Sequence, residues 1–370
     1  MKIAIIGTKG IPNCYGGFEA FAEHLSQGLL LQGFSVVVYQ PVASNTNFEP
    51  FRGVHRLGVR VPSFLPSNIS RVFYNLYSLR LVRQTMPDVA ICCGHSPALF
   101  FPFFSKAITQ KIIVNLDGLE WKRAKWGAFA RLLLKLTERL AVKYSGALIA
   151  DSVAIKNYVS RTYQKQANFI PYGASDLELK PDHQILAALG VEQQDFVLLI
   201  ARVEPENNVE MAIISAINAC KTLVIVGALT TPYAKKLTKR YAHCSTIIFA
   251  NSIYNYRQLT ALRLACNVYV HGHSVGGTNP SLLDAMDAGC LIIANDNEFN
   301  RETLANGGFY FSSVETLQNQ IERAWDSPKS VRANLQRVNN DRIASSYTWD
   351  AVTKKYVDLI AGVAENLSKL

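Results

Sequence analysis

A glycine-rich loop and an arginine in the second half of the sequence have the chemistry needed to bind a diphosphate. The loop, residues 275–278, follows an apolar run and precedes a helix that we predict to begin at Pro280, with Asn279 as its N-cap. Free N–H groups at a helix start attract anions, and glycine backbone lets a ligand approach closely. Arg202 follows another apolar run, so its guanidinium would lie at the same sheet edge and add charge-assisted hydrogen bonds. An ordinary βαβ turn is the alternative interpretation of the loop.

A second glycine-containing loop follows the first predicted strand, residues 2–7. It ends in Gly16 and Gly17, before a helix predicted over residues 18–31. The pattern GxGxxG is absent, which disfavours a nicotinamide-dependent enzyme. Glu19 lies in the first turn of the helix, where the helix dipole favours a carboxylate, and it is either a ligand contact or only a helix-start residue.

Polar residues also follow three later strands of the N-terminal half. Because ligands of parallel sheets bind beyond the carboxyl ends of the strands, His95, Asp117 and Asp151 are candidate contacts. His95 is alternatively a structural histidine, and Asp151 with Ser152 is alternatively a helix cap. Asp117 has the stronger case, since it follows an apolar strand and Gly118 leaves room for a ligand.

These residues must be positioned by a regular framework, and the sequence predicts one. Short apolar runs alternate with helical stretches, as in parallel α/β sheets. Strands are predicted at residues 2–7, 35–39, 89–93, 111–115 and 147–149, and again at 196–201, 222–226, 246–249, 268–270 and 291–294. We therefore predict two α/β, Rossmann-like, doubly wound domains over residues 1–175 and 176–345. Residues 346–370 are predicted to form a helix that packs back across the domain junction.

The composition limits the class of protein. The chain has 370 residues, 49% hydrophobic and 18% charged, which is enough for two folded domains and unlike a disordered protein. The seven cysteines show no metal-site spacing, so reduced thiols are expected. No stretch predicts a signal peptide or a membrane span. These features favour a cytoplasmic protein.

Positive charge is concentrated in the N-terminal half. Residues 1–175 contain 20 Lys and Arg against 8 Asp and Glu, a balance of +12, whereas residues 176–370 contain 18 against 20, a balance of −2. An anionic lipid surface or an acidic substrate is favoured over nucleic acid, since no nucleic-acid-binding signature is present. Residues 121–144 predict an amphipathic helix whose Arg131, Lys135 and Arg139 suit anionic head groups. A solvated helix face is the alternative.

Four stretches together resemble the retaining glycosyltransferase family 4, of GT-B fold. They are KIAIIGTKGIPNCYGGFEAF, DGLEWKRAKW, ARVEPENN and GGTNPSLLDAM. They are similar in particular to the bacterial subgroup that includes rhamnosyltransferases of capsule and other surface-polysaccharide assembly. The resemblance covers essentially the whole chain. It implies two Rossmann-like domains facing a cleft, with the acceptor on the N-terminal domain and the nucleotide-sugar on the C-terminal one.

The resemblance also implies residue roles. Arg202 would bind the donor diphosphate, Asp284 would bond the ribose as the second acidic residue of the family's E-x7-E motif, and Asp117 would orient the acceptor or the sugar. The implied donor site consists of Gly16, Gly17, Arg202, Asn207, Gly276, Gly277, Thr278, Asn279 and Asp284. The implied acceptor site consists of Glu19, His95 and Asp117.

The sequence departs from the family pattern at three places. Gly276 stands where the first Glu of the motif is expected, Asn207 or Asn208 where many members have a phosphate-binding Lys, and Leu116 where many have a His. Thr278, Asn279 and the loop amides are candidates to replace the hydrogen bonds of the missing carboxylate.

The predicted function is transfer of a sugar, with L-rhamnose from dTDP-rhamnose as one candidate, from a nucleotide diphosphate donor to a lipid-linked saccharide acceptor, with retention, in bacterial surface-polysaccharide synthesis. No metal or other cofactor is expected, because Arg202 and helix N-termini supply positive charge and no Asp-x-Asp motif is present. An anionic membrane surface is a predicted partner and nucleic acid is not, which predicts a cytoplasmic protein peripheral on the inner face of the plasma membrane. The alternatives are a nucleotide-sugar epimerase of GT-B fold and a catalytically inactive protein that binds sugar nucleotides or membrane surfaces.

Overall fold

A computed structural model describes residues 1–14, 16–44, 46–62, 64, 66–116, 118–123, 126–174, 180–193 and 195–368. They form two compact units. The first comprises the described residues of Met1–Lys122, Trp126–Gly173 and Trp349–Leu370, and the second those of Arg123–Lys125 and Ala174–Thr348. Each unit is an α/β fold around its own sheet.

The first unit is built on a seven-stranded sheet in which every neighbouring pair is parallel. The strands are β1 (Lys2–Ile6), β2 (Ser35–Val42), β3 (His55–Arg60), β4 (Val89–Cys93), β5 (Ile112–Asn115), β6 (Ala147–Ala150) and β7 (Asn168–Phe169). Their order is β3-β2-β1-β4-β5-β6-β7. The central strand β4 is buried throughout, as expected for a parallel strand covered on both faces.

The helices of the first unit connect these strands. They are α1 (Gly17–Leu31), α2 (Ser67–Thr85), α3 (Lys106–Thr109), α4 (Ala128–Tyr144) and α5 (Val153–Tyr163), with 3₁₀ segments at Ser96–Phe103 and Glu120–Lys122. Ser152 caps α5, since its Oγ accepts from the backbone N of Ile155 at 3.3 Å. The helix-cap interpretation of that position is confirmed.

The second unit repeats the architecture with six parallel strands. They are β8 (Phe196–Ile200), β9 (Thr222–Val226), β10 (Ile247–Ala250), β11 (Val268–His271), β12 (Ile292–Asn295) and β13 (Phe309–Phe311), in the order β10-β9-β8-β11-β12-β13. Its helices are α6 (Gln184–Leu189), α7 (Val209–Asn218), α8 (Pro232–Arg240), α9 (Tyr256–Ala265), α10 (Pro280–Asp287), α11 (Glu298–Leu304), α12 (Val314–Trp325) and α13 (Lys329–Ser346), with a 3₁₀ segment at Pro205–Asn207.

The last helix, α14 (Trp349–Ser368), belongs to the first unit and packs against α1. The Tyr356 ring is fully buried with its centroid 5.5 Å from that of Phe21, and Trp349 stacks on His24 at 4.8 Å. The two helices approach closely because α1 has a glycine, Gly28, at the contact with α14.

The two doubly wound α/β units confirm the predicted fold class, and all ten predicted strands are present. In both sheets the strand order reverses beside the first strand, between β1 and β4 and between β8 and β11. Ligands of open parallel sheets bind beyond the strand ends at such a point. The prediction of one helix over residues 121–144 is wrong in its first part. Trp121 and Lys122 lie in a 3₁₀ turn, and Gly127, in extended conformation, is the N-cap of α4.

Candidate functional site

Two loops meet at the carboxyl edge of the second sheet, where β8 and β11 are neighbours. Strand β8 leads into Arg202, whose side chain is exposed, and β11 leads into the glycine loop (residues 272–279). Ser274 ties the loops together, because its backbone N (3.0 Å) and its Oγ (2.8 Å) both donate to the carbonyl oxygen of Glu206. Arg202 and the glycine loop therefore lie at one edge of the sheet.

The turn after Arg202 is packed against the start of the glycine loop. Asn207 Nδ2 donates to the Arg202 carbonyl oxygen at 2.8 Å, and Asn208 Nδ2 donates to that of Gly272 at 2.9 Å. A β-carbon at Gly272 would lie 2.1 Å from the Asn207 carbonyl oxygen, so this approach requires glycine. Asn207 is buried and its side-chain amide fixes the turn. Its contact with a donor stays a prediction.

Helix α10 begins directly after the glycine loop. Asn279 Oδ1 accepts from the backbone N of Ser281 at 3.1 Å and Pro280 is the first helical residue, which confirms the predicted helix start. Gly276 has φ +148°, which favours glycine, and no atom lies within 4 Å of where its β-carbon would be. Thr278 is buried. The positive end of the α10 dipole therefore lies next to an accessible backbone.

Two asparagines that sequence reasoning did not select hold the glycine loop. Asn297 Nδ2 and Asn300 Nδ2 each donate to the His273 carbonyl oxygen at 3.0 Å. Together with Gly276 and Gly277 they line a small cleft beside the loop. The sequence signal for Asn297 is only that of an ordinary helix N-cap, the position it holds before α11.

Asp284 lies in α10 and forms a buried ion pair with Arg263 of α9. Arg263 Nη2 donates to Asp284 Oδ2 at 2.8 Å, and the two side chains are 3% and 8% exposed. Each charge depends on the other, because an unpaired buried charge is strongly destabilising. Arg263, which sequence reasoning missed, thus fixes the carboxylate predicted to bond a ribose. The ribose contact itself stays a prediction.

Glu206 is a second residue that sequence reasoning missed. It is 6% exposed, and neither carboxylate oxygen has a hydrogen-bond partner among the described residues. Buried carboxylates are normally hydrogen-bonded, and this one lies on the turn whose backbone receives Ser274 of the glycine loop. The available signal was an acidic residue within the ARVEPENN stretch.

Two stacked histidines lie at the end of β11. The ring centroids of His271 and His273 are 4.4 Å apart with an interplanar angle of 14°. Burial lowers the pKa of His271 to about 3, and burial also lowers the pKa of His273 well below its usual value. Both rings are therefore neutral at neutral pH and add no positive charge at this edge.

In the first unit, the loop after β1 is braced by carboxylates of α1. Gly16 is the N-cap of α1 and Gly17 its first residue. Glu19 is buried, and its Oε1 accepts from the backbone N of Lys9 at 2.7 Å, while Glu23 accepts from a backbone N further along the loop at 2.7 Å. Glu19 therefore holds the loop in place. Contacts of Glu19, Gly16 and Gly17 with substrates stay predictions.

His95 follows β4 and is buried. Its Nδ1 lies 2.9 Å from Thr137 Oγ1, and that hydroxyl donates to the Leu134 carbonyl oxygen at 2.9 Å. Thr137 has one proton to give, so it accepts from the histidine, which places the His95 proton on Nδ1 and leaves Nε2 as an acceptor. Burial lowers the pKa of His95, so the ring is neutral at neutral pH. An acceptor contact through Nε2 stays a prediction.

Asp117, the predicted catalytic carboxylate, lies outside the described residues. Its role stays a prediction from the sequence.

The residues predicted to contact a membrane lie on α4. Arg131, Lys135 and Arg139 are exposed, and the apolar side chains of Phe129 and Leu132, 80% and 68% exposed, lie beside them. Across the described part of the chain, the structure contains no helix with the length and apolar character of a membrane span.

Two family models match the sequence. Residues 1–175 match a domain of unknown function, DUF1972, and residues 184–340 match the family "Glycosyl transferases group 1". Residues 184–340 are therefore similar to a group 1 glycosyltransferase domain, and they are called the group 1 domain below. The group 1 domain contains Arg202, the glycine loop and α10, so both loops of the candidate donor site belong to it. No curated protein matches the sequence.

Several solved structures share the fold over nearly the whole chain. Sucrose-phosphate synthase from Thermosynechococcus elongatus has a TM-score of 0.83 at 16% identity, with 99% of each chain covered. WaaG, a glycosyltransferase involved in lipopolysaccharide biosynthesis, has a TM-score of 0.74 at 16% identity, with 97% of this chain and 100% of the WaaG chain covered. HepE of Anabaena, in complex with UDP-glucose, has a TM-score of 0.74 at 15% identity, with 100% of each chain covered. These neighbours confirm the GT-B fold. Together, the group 1 domain and this fold support a glycosyltransferase.

Proposed function

We propose that the protein transfers a sugar from a nucleotide diphosphate donor to a lipid-linked saccharide acceptor in bacterial surface-polysaccharide synthesis, with retention at the anomeric carbon. The first donor to test is dTDP-rhamnose, from which L-rhamnose would be transferred. The observation that carries the proposal is the joining of the Arg202 turn to the glycine loop at the switch point of the second sheet, with the N-terminus of α10 behind it. Similarity to HepE, whose structure holds UDP-glucose, and to WaaG, which acts in lipopolysaccharide biosynthesis, supports this reaction class.

The donor is proposed to lie along these loops. Its diphosphate would face Arg202 and the first N–H groups of α10, and Asp284, fixed by Arg263, would bond the ribose. Gly276 leaves space at the position of the family's missing carboxylate, so the sugar hydroxyls would be bonded by Thr278, Asn279 and loop amides.

The chemistry needs the leaving group to be stabilised. As the bond from the anomeric carbon to the diphosphate oxygen breaks, negative charge grows on that oxygen, and Arg202 with the α10 dipole would stabilise it without a resident metal. The acceptor hydroxyl would attack on the same face and give its proton to the departing phosphate oxygen. Asp117 would orient the acceptor, since fixed geometry removes the entropy cost of bringing the reacting atoms together.

The acceptor is proposed to enter over the first unit, at a membrane surface. The exposed face of α4 combines Arg131, Lys135 and Arg139 with the exposed apolar side chains of Phe129 and Leu132. Such a face matches the boundary between anionic head groups and acyl chains, which is where a lipid-linked saccharide is found.

A donor screen tests the proposal. Purified protein would be incubated with UDP-, ADP-, GDP- and dTDP-sugars in the presence of a lipid-linked saccharide extract, and released nucleoside diphosphate would be measured. Release that depends on both one donor and the lipid extract is expected. Isomerisation of the sugar on an intact nucleotide would instead identify an epimerase. Binding without turnover for every donor would identify an inactive binding protein. Both of the latter results contradict the proposal.

A further inference from the structure

A cavity of about 530 Å³ lies in the first unit, between the 3₁₀ turn Glu120–Lys122 and the first turns of α4. It is lined by Trp121, Lys122, Ala128, Arg131, Leu132 and Lys135. The turn follows Asp117 in the DGLEWKRAKW stretch, and none of its own three residues has a role in the proposed donor site. The cavity is therefore a separate feature that needs its own explanation.

The lining residues give the cavity a positive charge. Of the six described lining residues, three are cationic and none is acidic. The Nζ of Lys135 lies 4.2 Å from the centroid of the Trp121 ring and that of Lys122 lies 5.8 Å from it, so cation–π contact holds two ammonium groups beside one aromatic wall. Convergent cations of this kind complement a compact, highly charged anion such as a diphosphate.

The aromatic wall is held in place by a network of two tyrosines and a buried glutamate behind it. The Trp121 ring packs on Tyr158 with centroids 6.4 Å apart, and the Tyr158 hydroxyl donates to Glu138 Oε1 at 2.7 Å. Tyr163 donates to the same oxygen at 2.6 Å, and Glu138 is 2% exposed. Burial raises the pKa of Tyr158 to about 12, so the hydroxyl remains a donor at neutral pH. Trp121 is thus a pre-organised surface, which reduces the entropy cost of binding.

An apolar strip leads out of the cavity along α4. Leu132 lines the cavity, and Phe129 and Leu136 lie three residues before it and four after it, on the same face of the helix. The exposed fractions of Phe129, Leu132 and Leu136 are 80%, 68% and 45%. Exposed apolar patches mark interaction sites, and a lipid chain attached to a diphosphate has the matching order of charge and hydrocarbon.

We propose that this cavity binds the diphosphate of the lipid-linked acceptor, with the first part of the lipid on the strip of Phe129, Leu132 and Leu136. The inference rests on the proposed function, and it adds the group that is recognised and the residues that recognise it. Trp121 with Lys122 and Lys135 forms the diphosphate end. An ordinary anionic bilayer would contact the exposed face of α4, but it has no reason to require Lys122 on the separate turn.

Calorimetric titration of the full-length protein with geranyl diphosphate, in detergent-free buffer without vesicles, tests the site. Lys122→Gln and Lys135→Gln are each expected to weaken binding about tenfold, the size of one lost charge-assisted contact. Lys143→Gln is the matched control, because Lys143 is an exposed lysine of the same helix with its own aromatic contact, to Tyr144, outside the cavity. Its affinity for geranyl diphosphate is expected to equal that of the wild type.

Two results would overturn the proposal: equal weakening in Lys143→Gln and Lys135→Gln, or binding of geraniol as tight as that of geranyl diphosphate. Titration of the same proteins with nucleoside diphosphates separates this site from the donor site. Lys143→Gln is expected to leave nucleoside diphosphate affinity unchanged and Arg202→Ala to reduce it. If only the cavity proposal is wrong, the cavity variants bind geranyl diphosphate like the wild type, and donor binding and turnover remain. If the proposed function is wrong, donor binding and turnover are absent.

Discussion

In the proposed reaction, the charge that develops on the departing nucleoside diphosphate needs a fixed positive partner, and Arg202 is the candidate for it. Its turn is fixed by the Asn207 amide and by the bonds from Ser274 to Glu206, so the position of its backbone is set before a donor arrives. Fixing the backbone that carries a charge reduces the reorganisation needed to stabilise a transition state.

Replacing Arg202 with alanine is expected to lower kcat/KM, because a neutral residue cannot stabilise the leaving group. The expected loss is about 2–4 kcal/mol of transition-state stabilisation, by analogy with removal of one such donor. Steady-state kinetics with the preferred donor measures it. Arg337→Ala is the control, since Arg337 is a surface residue of the same unit with local contacts, an ion pair with Asp341 at 3.6 Å and a hydrogen bond to Asn334 Oδ1 at 3.1 Å. Wild-type turnover in Arg202→Ala would remove Arg202 from the site.

The Arg263–Asp284 pair predicts a characteristic pattern of stabilities. Asp284→Leu and Arg263→Met are each expected to lower the free energy of unfolding by about 3–5 kcal/mol, because each leaves a buried charge without its partner. The double variant is expected to recover most of that loss, since it removes both charges. Urea unfolding of the three variants measures the coupling. Additive losses in the double variant would show that the two charges do not depend on each other.

At the scale of elements, close helix packing is set by single glycines. A β-carbon at Gly28 of α1 would lie 2.3 Å from Thr353 Oγ1 of α14. Gly28→Ala is therefore expected to destabilise the protein by about 1–2 kcal/mol through overpacking. Gly362→Ala is the matched control, because Gly362 lies in α14 with no atom within 4 Å of its β-carbon position. That change is expected to stabilise by about 0.5–1 kcal/mol through helix propensity. Thermal melting that ranks the two variants in the opposite order would contradict this packing.

Helix α4 predicts peripheral membrane binding. Each Lys or Arg near an anionic surface contributes about 1 kcal/mol, so replacing Arg131, Lys135 and Arg139 with Gln is expected to weaken binding to anionic vesicles by about 3 kcal/mol at low salt. Liposome sedimentation measures the loss. The control removes the same charge from three exposed lysines of α8, which are Lys235, Lys236 and Lys239. Equal binding of the wild-type protein to neutral and anionic vesicles, or binding to neither, would contradict peripheral binding to anionic membranes.

The elements could be predicted wherever one local signal dominates. Continuous apolar runs gave the central strands, and the Asn279-Pro280 pair gave the start of α10. The edge strand β3 (HRLGVR) was not predicted, because only Val59 is buried in it and a strand exposed at an edge lacks a hydrophobic signal. Residues 121–127 were predicted as helix from their composition, whereas Trp121 turns toward Tyr158, a tertiary contact with no local signal.

The candidate site shows the same division. The loops could be predicted because glycines, an arginine after an apolar run and a helix cap can be recognised from the neighbouring residues alone. Arg263, Asn297 and Asn300 could not, since their roles depend on partners 21, 24 and 27 residues away, brought close only by the fold. Glu206 stands within the ARVEPENN stretch, but its burial depends on the packing of the folded unit.

For the molecule as a whole, buried neutral histidines predict acid sensitivity. An unfolded histidine has a pKa of about 6.5, whereas burial lowers the pKa of His271 to about 3 and lowers the pKa values of His95 and His273. Below about pH 6.5 the unfolded state therefore binds more protons than the native state, so stability falls as pH falls.

For His271 alone, about 2 kcal/mol of stability present at pH 7 is lost by pH 5. Urea unfolding at both values measures the difference. The loss on acidification is expected to shrink by about that amount in His271→Phe, and it should be unchanged in the exposed control His243→Gln. An equal pH response in wild type and His271→Phe would contradict the burial argument.

The two halves of the chain differ in charge, with +12 over residues 1–175 and −2 over residues 176–370. In the proposed function they bind different substrates. The basic half suits an anionic lipid acceptor, and the second contains the loops suited to a nucleotide. The direct test is to follow a radiolabelled sugar from the donor selected by the screen to its destination, by partition between butanol and water. Label is expected in the butanol phase only when both the lipid-linked acceptor and active protein are present, with one nucleoside diphosphate released for each sugar transferred, and to be strongly reduced with Arg202→Ala. Label that stays in the aqueous phase with every donor, in protein that binds nucleoside diphosphates, would contradict a glycosyltransferase acting on a lipid-linked acceptor.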